Sequence, residues 1–129
     1  MLHDRVYFEH ENQNVYIDTY VADKVGKYTK SAILVIPGGG YSCICSEREG
    51  EPIALAFMPY GYNAFVLHYS VNREKKYPAQ LIQVSKAIKH IKNMVNLRFL
   101  NLTDFNTISS PPYICNIFHF IIVYSKFLF

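Results

Sequence analysis

The feature of this sequence that most constrains its fold is an apolar run that ends in three consecutive glycines. Residues 32–36 read Ala-Ile-Leu-Val-Ile, and an apolar run without alternation is typical of a strand buried on both faces. Residues 37–41 follow as Pro-Gly-Gly-Gly-Tyr, so the strand ends in a loop that can turn sharply and approach a ligand closely. Because glycine has no side chain to shield its N–H group, this loop suits an anion, either a phosphate or the oxyanion of a tetrahedral intermediate.

The order of the strand-like segments predicts an α/β fold with one incomplete mixed sheet and flanking helices. Residues 15–21 alternate between apolar and polar side chains, which predicts a half-buried strand that pairs antiparallel with an earlier strand at residues 6–8. Residues 64–67 form a second continuous apolar run, which predicts a strand parallel to residues 32–36.

Two helices are predicted around the second apolar run. Pro52 suits the first turn of a short helix over residues 53–58, and Pro78 opens a longer helix that ends near Asn93. The apolar side chains of the longer helix recur with helical spacing and are expected on one buried face: Leu81, Val84, Ala87, Ile88 and Ile91. Strand, helix, strand and helix in this order are typical of a parallel α/β sheet.

The character of the chain changes after Met94. Residues 95–129 contain no Gly, Ala or Glu, although all six glycines occur before them. Residues 113–124 are strongly apolar, and their pattern is compatible with a strand or a helix. We therefore predict that residues 1–94 form one structural unit and that residues 95–129 are a divergent apolar tail. Translation in a shifted reading frame explains this compositional break better than an authentic tail does.

The composition argues against several classes of protein and site. The net charge is only +3 and the lysines are scattered, so no nucleic-acid partner is expected. The three cysteines are odd in number and lack C-x-x-C spacing, which argues against a disulfide framework and a zinc site. Cys43 and Cys45 beside the glycine loop are either reactive thiols or small buried fillers, and the second role is the commoner one. Residues 1–5 do not open a signal peptide and residues 113–124 are too short to span a bilayer, so we expect a cytoplasmic protein without a membrane partner.

Other uses of the glycine loop fit the residues less well. A dinucleotide-binding fingerprint would share Gly38 and Gly40, but Cys43 stands at its third glycine position and no acidic residue ends the next strand. A Walker phosphate loop is excluded because no Gly-Lys-Ser/Thr follows. A nucleophile elbow would use Ser42, but Ile44 stands where the elbow needs a small residue. A tight turn without any ligand is a further alternative.

Four blocks in a fixed order resemble the N-terminal part of α/β-hydrolase esterases. The blocks lie within residues 1–94 and comprise residues 36–41, 46–54, 61–70 and 77–79. They are most similar to the branch that includes acetyl-xylan esterases and bacterial feruloyl-esterase-like hydrolases. Many lipases of this fold carry His-Gly-Gly-Gly at the loop, and Pro37 replaces the histidine here.

The resemblance implies a mechanism and a class of substrate. A serine would attack a carboxylic ester, an acetyl or aryl ester carried by a small molecule or a carbohydrate, and a histidine would relay its proton. The backbone N–H groups of Gly39, Gly40 and Tyr41 would form the oxyanion hole. No metal and no organic cofactor are implied.

The catalytic side chains of that family are not found in this sequence. The family's nucleophile lies in G-x-S-x-G on the strand after the longer helix, and no such motif occurs in the chain. His119 has no carboxylate near it in sequence, and His68 and His90 are expected at a strand end and on a helix surface. We therefore predict a truncated ester hydrolase that is inactive as this chain.

The alternative is a non-catalytic protein that binds a partner, or a second copy of itself, through an exposed sheet edge or the apolar tail. If later strands are missing, Val35, Ile36, Val66 and Leu67 would have unpaired or uncovered neighbours. Such a sheet would favour self-association.

Overall fold

The computed structural model describes residues 2–9, 13–23, 30–71, 78–99 and 120–124. Its elements follow in chain order as β1 (Leu2–Tyr7), β2 (Tyr16–Val21), β3 (Ala32–Ile36), α1 (Ser46–Glu49), α2 (Glu51–Phe57), a 3-10 turn (Met58–Tyr60), β4 (Asn63–His68), α3 (Ala79–Phe99) and β5 (Phe120–Tyr124).

The five strands form one mixed sheet in the order β1-β2-β4-β3-β5. Strand β2 pairs antiparallel with both β1 and β4, whereas β3 pairs parallel with both β4 and β5. The predicted fold class is therefore confirmed: antiparallel strands come first, parallel strands follow, and helices flank the sheet. Since β3 and β4 run parallel, their carboxyl ends lie at the same edge of the sheet.

Helices cover the sheet on both faces. One cluster of buried side chains joins Leu34 and Phe65 of the sheet to Ala87 and Ile91 of α3. A second cluster joins the opposite face of the sheet to Ala54 of α2. Neighbouring residues of β3 and β4 point to opposite faces, so a continuous apolar run is needed to fill both clusters.

The prediction that β2 is buried on one face only is wrong. Residues 17–20 are all buried, although two of them, Asp18 and Thr19, are polar. Because β2 lies between two other strands and below the helices, its polar face is also removed from water. The carboxylate of Asp18 is instead paired with the guanidinium of Arg5 on β1.

The helical region after the glycine loop begins earlier than the sequence indicated. The prediction gave a polar segment over residues 46–51 and a helix over residues 53–58, but α1 already begins at Ser46. Gly50 ends α1 and precedes α2, and Pro52 lies in the first turn of α2 as expected.

The long helix α3 begins directly after Pro78, as predicted, but it differs from the prediction at its end and in the burial of one residue. It runs to Phe99 instead of ending near Asn93, and it therefore continues past the proposed boundary at residue 94. Ala87 and Ile91 are buried, but Leu81 is 55% exposed, so its assignment to the buried face is wrong. In the same part of α3 the polar side chain of Gln83 is instead buried, at 1% exposure, and it bonds to Ser70 after β4.

Strand β5 answers the question of how residues 120–124 fold. They form a strand parallel to β3, with Val35 opposite Val123 and Ile36 opposite Tyr124. Consequently β3 has a strand on each side, and the expectation of unpaired neighbours for Val35 and Ile36 is wrong. The origin of residues 95–129 stays a prediction, because most of that segment lies outside the described residues.

Candidate functional site

The glycine loop leaves the carboxyl end of β3 at the edge of the sheet where ligands of open α/β folds bind. Three consecutive residues have a left-handed backbone: Gly39 with φ of 147°, Gly40 with φ of 59° and Tyr41 with φ of 60°. Left-handed backbone is costly for a residue with a side chain, and it requires glycine most strongly at Gly39. An added Cβ at Gly39 would lie 2.0 Å from the carbonyl oxygen of Cys43, whereas one at Gly40 would meet no atom within 4 Å.

The carbonyl groups of the loop are bonded to the chain that follows. The carbonyl of Gly38 accepts a hydrogen bond from the N–H of Cys45 at 2.9 Å. The carbonyl of Gly39 accepts from the N–H groups of Ser42 at 3.1 Å and Cys43 at 3.3 Å. The hydroxyl of Ser42 also donates to Gly39 at 3.0 Å, so this side chain closes the turn.

The amide groups of the loop are arranged differently from its carbonyls. In a trans peptide the C=O and N–H groups point in opposite directions. The bonded carbonyls of Gly38 and Gly39 therefore turn the following amides, those of Gly39 and Gly40, away from the turn. Within the described part of the chain, no acceptor takes a hydrogen bond from the N–H of Gly39, Gly40 or Tyr41. The loop thus presents consecutive amide donors without protein acceptors among those residues.

The peptide unit that enters the loop is fastened on both sides. Its carbonyl, that of Pro37, accepts a buried hydrogen bond of 2.7 Å from the hydroxyl of Tyr69. Its amide, that of Gly38, donates to Oε2 of Glu49 at 3.0 Å. Glu49 is only 4% exposed, and its Oε1 accepts from the guanidinium of Arg48 at 2.7 Å.

A network of side chains lies at the end of the neighbouring strand β4. Nε2 of His68, the last residue of β4, lies 3.3 Å from Oγ of Ser46 and 3.4 Å from Oδ2 of Asp18. The ring of Tyr16 stacks on the imidazole with centroids 4.2 Å apart. The guanidinium of Arg5 also lies over the ring of Tyr16, 4.0 Å from its centroid. It donates hydrogen bonds to both carboxylate oxygens of Asp18.

The electrostatics of this network follow from burial and from the Arg5–Asp18 pair. The hydrogen bond to Asp18 holds the pKa of Arg5 above its usual range. Burial lowers the pKa of His68 below 6.5, and the carboxylate of Asp18 opposes this only in part. His68 is therefore a neutral imidazole at pH 7, and its single Nε2 cannot donate to Asp18 while accepting from Ser46. In a Ser-His-Asp triad the serine and the carboxylate bond to different ring nitrogens, so this network is not such a triad.

The prediction that the two cysteines beside the loop are buried fillers is wrong. Cys43 is exposed and Cys45 is intermediate in exposure. Desolvation and a hydrogen bond with the thiol of Cys43 raise the pKa of Cys45, which makes its thiolate less accessible. Cys43 Sγ lies 3.7 Å from the carbonyl oxygen of Gly39, so it belongs to the closed turn.

Other kinds of site have little support in the described residues. No group of three His, Cys, Asp or Glu side chains within those ranges is arranged to hold a metal ion. An apolar groove of about 320 Å³ lies on α3, lined by Leu81, Ile82, Ser85, Lys86 and Lys89, and not at the glycine loop. None of the helices in the described ranges combines the length and apolar character that a membrane crossing needs.

Comparison with known proteins relates the chain to hydrolases. No family model matches the sequence. Endo-1,4-beta-xylanase B of Butyrivibrio fibrisolvens is 41% identical over 66 residues, which are 49% of this chain and 10% of the xylanase. The solved structure of MGS-M1, an α/β hydrolase from a Medee basin deep-sea metagenome library, matches with a TM-score of 0.70. It is 34% identical, and the match covers 78% of this chain and 43% of that one.

Two further solved structures share the arrangement of strands and helices. An acetyl ester-xyloside bifunctional hydrolase from Caldicellulosiruptor lactoaceticus has a TM-score of 0.65 and 26% identity, covering 76% of this chain and 39% of that one. The carboxylesterase Cest-2923 from Lactobacillus plantarum has a TM-score of 0.65 and 25% identity, covering 78% of this chain and 38% of that one. The chain thus spans about two fifths of the length of the solved structures it matches.

The structure brings the predicted site residues together but adds partners that the sequence analysis missed. Gly39, Gly40 and Tyr41 form one loop, as contiguous residues must. The sequence analysis named neither Glu49 nor Tyr69, which fasten the entrance of the loop. The carboxylate of Glu49, nine residues after Gly40, was visible in the sequence, but nothing there indicated that it is buried.

Proposed function

Because this chain corresponds to the N-terminal part of the α/β-hydrolase esterase fold, we propose that its glycine loop is the oxyanion-binding side of a carboxylic-ester hydrolase site. One observation carries the proposal: the amides of Gly39, Gly40 and Tyr41 follow the carboxyl end of β3 without acceptors in the described residues. Such donors stabilise the negative oxygen that develops when a nucleophile adds to an ester carbonyl.

The chemistry divides between this loop and a nucleophile. A serine hydroxyl adds to the ester carbonyl carbon, and the carbonyl oxygen becomes an alkoxide that the loop amides bind. Collapse of the intermediate expels the alcohol and leaves an acyl-enzyme, which water then hydrolyses. Loss of one backbone donor from an oxyanion hole typically costs about 2.7–4 kcal/mol of transition-state stabilisation.

We propose an acetyl or aryl ester, in a small molecule or on a carbohydrate, as the substrate class of the parent enzyme. Two of the matched proteins support this choice, since one is an acetyl ester-xyloside bifunctional hydrolase and the other is an endo-1,4-beta-xylanase. A cytoplasmic location also stays a prediction from the sequence.

We propose further that the chain has no turnover by itself. In the esterase family that the sequence resembles, the strand that carries the nucleophile follows the long helix. In this chain β5 is the next described element after α3. In the sequence, Ser125 follows β5, but Val123 and Phe127 stand where G-x-S-x-G has glycines. Bulky residues at those two positions are incompatible with the tight strand-to-helix turn that exposes the serine.

Two measurements on the full chain test these proposals. Titration of the ¹⁵N-labelled protein with methyl methylphosphonate, a tetrahedral monoanion, should shift the amide resonances of Gly39, Gly40 and Tyr41. Hydrolysis of p-nitrophenyl acetate should stay at the rate of the buffer, and a fluorophosphonate probe should label no serine. Unmoved loop amides would refute the oxyanion site, and a labelled Ser125 with turnover would refute inactivity.

A second candidate function is self-association through α3, a different surface from the sheet edge or apolar tail of the earlier alternative, and one observation favours it. Leu81 and Ile82 at the start of α3 are 55% and 50% exposed, and they line the apolar groove of that helix. Concentration-dependent association, measured by analytical ultracentrifugation and abolished by Leu81→Gln with Ile82→Gln, would support this alternative. A monomer at every concentration would exclude self-association through this surface.

A further inference from the structure

The buried carboxylate of Glu49 divides its two oxygens between the glycine loop and a surface cation. Oε2 accepts from the N–H of Gly38 at 3.0 Å, and Oε1 accepts from Nε and NH2 of Arg48 at 3.2 and 2.7 Å. The side chain of Glu49 is 5% exposed, whereas that of Arg48 is 72% exposed. A negative charge is thus held within the protein, directly beside the entrance of the loop.

We infer that Glu49 is a positioning residue for the oxyanion loop and that Arg48 makes this arrangement compatible with a bound anion. The inference rests on the function proposed above. Glu49 fixes the amide side of the Pro37–Gly38 peptide unit, while Tyr69 fixes its carbonyl side. With both ends held, the plane of this peptide is set, and it determines the direction in which the next amides leave β3.

The charge of Glu49 has a cost that Arg48 offsets. An anion bound at the loop amides would be repelled by a nearby carboxylate, because the interaction between like charges is unfavourable and strengthens where water is excluded. The guanidinium of Arg48 pairs with that carboxylate and makes the two residues nearly neutral as a unit. Hydrogen bonding and charge at Glu49 therefore have opposite effects on anion binding, and substitution can separate them.

Four variants of the ¹⁵N-labelled chain separate these effects: Glu49→Gln, Glu49→Ala, Arg48→Gln and the double variant Arg48→Gln with Glu49→Gln. Glutamine keeps an oxygen acceptor for Gly38 and removes the charge, whereas alanine removes both. Lys86→Gln on α3 is the matched control, since Lys86 is also an exposed cation that pairs with a largely buried carboxylate, that of Glu9, but neither of these described residues bonds to the glycine loop.

Two readouts are measured at pH 7, the hydrogen-exchange rate of the Gly38 amide and the affinity for methyl methylphosphonate. Glu49→Ala should speed exchange at Gly38 by at least about tenfold, and Glu49→Gln should stay within about threefold of the parent. Arg48→Gln should weaken the anion about two- to fivefold, Glu49→Gln should tighten it by a similar factor, and the double variant should approach the parent.

The outcomes distinguish this inference from the proposed function. If methyl methylphosphonate does not shift the loop amide resonances of the parent chain, the proposed function is wrong, whatever the hydrogen-exchange rate of the Gly38 amide. If the parent binds the anion but Glu49→Ala leaves exchange at Gly38 unchanged, the positioning role is overturned. If Arg48→Gln weakens the anion no more than Lys86→Gln does, the charge-offsetting role is overturned. Should Glu49→Ala fail to fold, the parent chain keeps the test decisive, because exchange of its Gly38 amide at the rate of an unprotected peptide would overturn the positioning role.

Discussion

The carboxyl ends of β3 and β4 lie side by side, yet the chain presents different chemistry at each. After β3 the polar groups of the candidate site are backbone amides, and their directions depend on glycine conformations and on bonded carbonyls. At the end of β4 the polar groups are side chains, with His68 stacked on Tyr16 and close to Asp18 and Ser46. The first region has amide donors without acceptors among the described residues, whereas the polar side chains of the second bond to one another.

Because of this contrast, substitutions in the two regions should act through different physical causes. In the glycine loop, a change that leaves hydrogen-bonding groups intact can still destroy the site, because it alters backbone geometry. In the His68 network, the backbone is ordinary strand and the consequences follow from the charge and hydrogen bonds of the replaced side chain. The following predictions test this contrast, beginning with the largest expected effect.

Gly39→Ala should have the largest effect of the substitutions compared here. The new methyl group would lie 2.0 Å from the carbonyl oxygen of Cys43, at a backbone φ of 147° that alanine rarely adopts. We expect a loss of about 3 kcal/mol in the free energy of unfolding, measured by urea denaturation. Gly40→Ala is the matched control, since its methyl group meets no atom within 4 Å and only the left-handed φ costs about 1 kcal/mol. Equal losses in the two variants would contradict the described turn.

Asp18→Ala should destabilise the second region by about 2 kcal/mol, because it removes a buried acceptor of charged hydrogen bonds. Arg5 is 48% exposed, so its guanidinium can regain water and limit the loss. Asp18→Asn retains one oxygen acceptor and should lose less. The loop amides should keep their chemical shifts in both variants, and large shifts at Gly39 or Gly40 would show that the two regions are coupled.

Tyr69→Phe should cost about 1 kcal/mol, since it deletes the hydroxyl that donates to the carbonyl of Pro37. Its amide spectrum should change mainly at Gly38 and Gly39, because the entering peptide unit loses one of its two fastenings. Tyr60→Phe is the control, as the Tyr60 side chain is 80% exposed and lies outside the site. If the two phenylalanine variants were equally stable, the Pro37 contact would contribute nothing measurable.

The pH dependence of stability should show the smallest effect, and it reports on His68. Burial lowers the pKa of His68, so the unfolded chain takes up a proton at about pH 6.5 while the folded chain does not. The free energy of unfolding should therefore decrease as the pH falls below that value. Urea denaturation over a pH series should show a weaker decrease for His68→Asn than for the parent. An identical pH dependence in both proteins would contradict a buried neutral imidazole.

The sequence predicted the sheet well because its central strands are apolar on both faces. Residues 32–36 and 64–67 are apolar without alternation, which is typical of strands covered on both faces, and both segments form parallel strands. The alternating pattern of β2 led to the wrong prediction that one of its faces is exposed. Asp18 is polar but buried, and its carboxylate is paired with Arg5. Local patterns do not reveal such partners, which come from another strand.

The candidate site was predicted only as far as its backbone. Three glycines in sequence indicated a turn and exposed amides, but the fastening by Glu49 and Tyr69 depends on contacts between distant segments. His68 was placed correctly at a strand end, while its contacts with Ser46 and Asp18 could not be derived from spacing. The prediction for Leu81 failed for a related reason, since the polar Gln83 is buried near it by hydrogen bonds to Ser70 that apolar periodicity cannot indicate.

The left-handed backbone of Tyr41 makes this position a natural place for directed evolution. Its side chain is 61% exposed and its φ is 60°, while the proposed contribution to anion binding comes from its amide alone. Glycine and asparagine adopt this conformation readily, whereas β-branched residues do so at a high energetic cost. A library at position 41 should therefore omit β-branched residues and vary the polarity of the side chain. Such a library would vary the surface beside the proposed anion site while leaving its backbone donors in place.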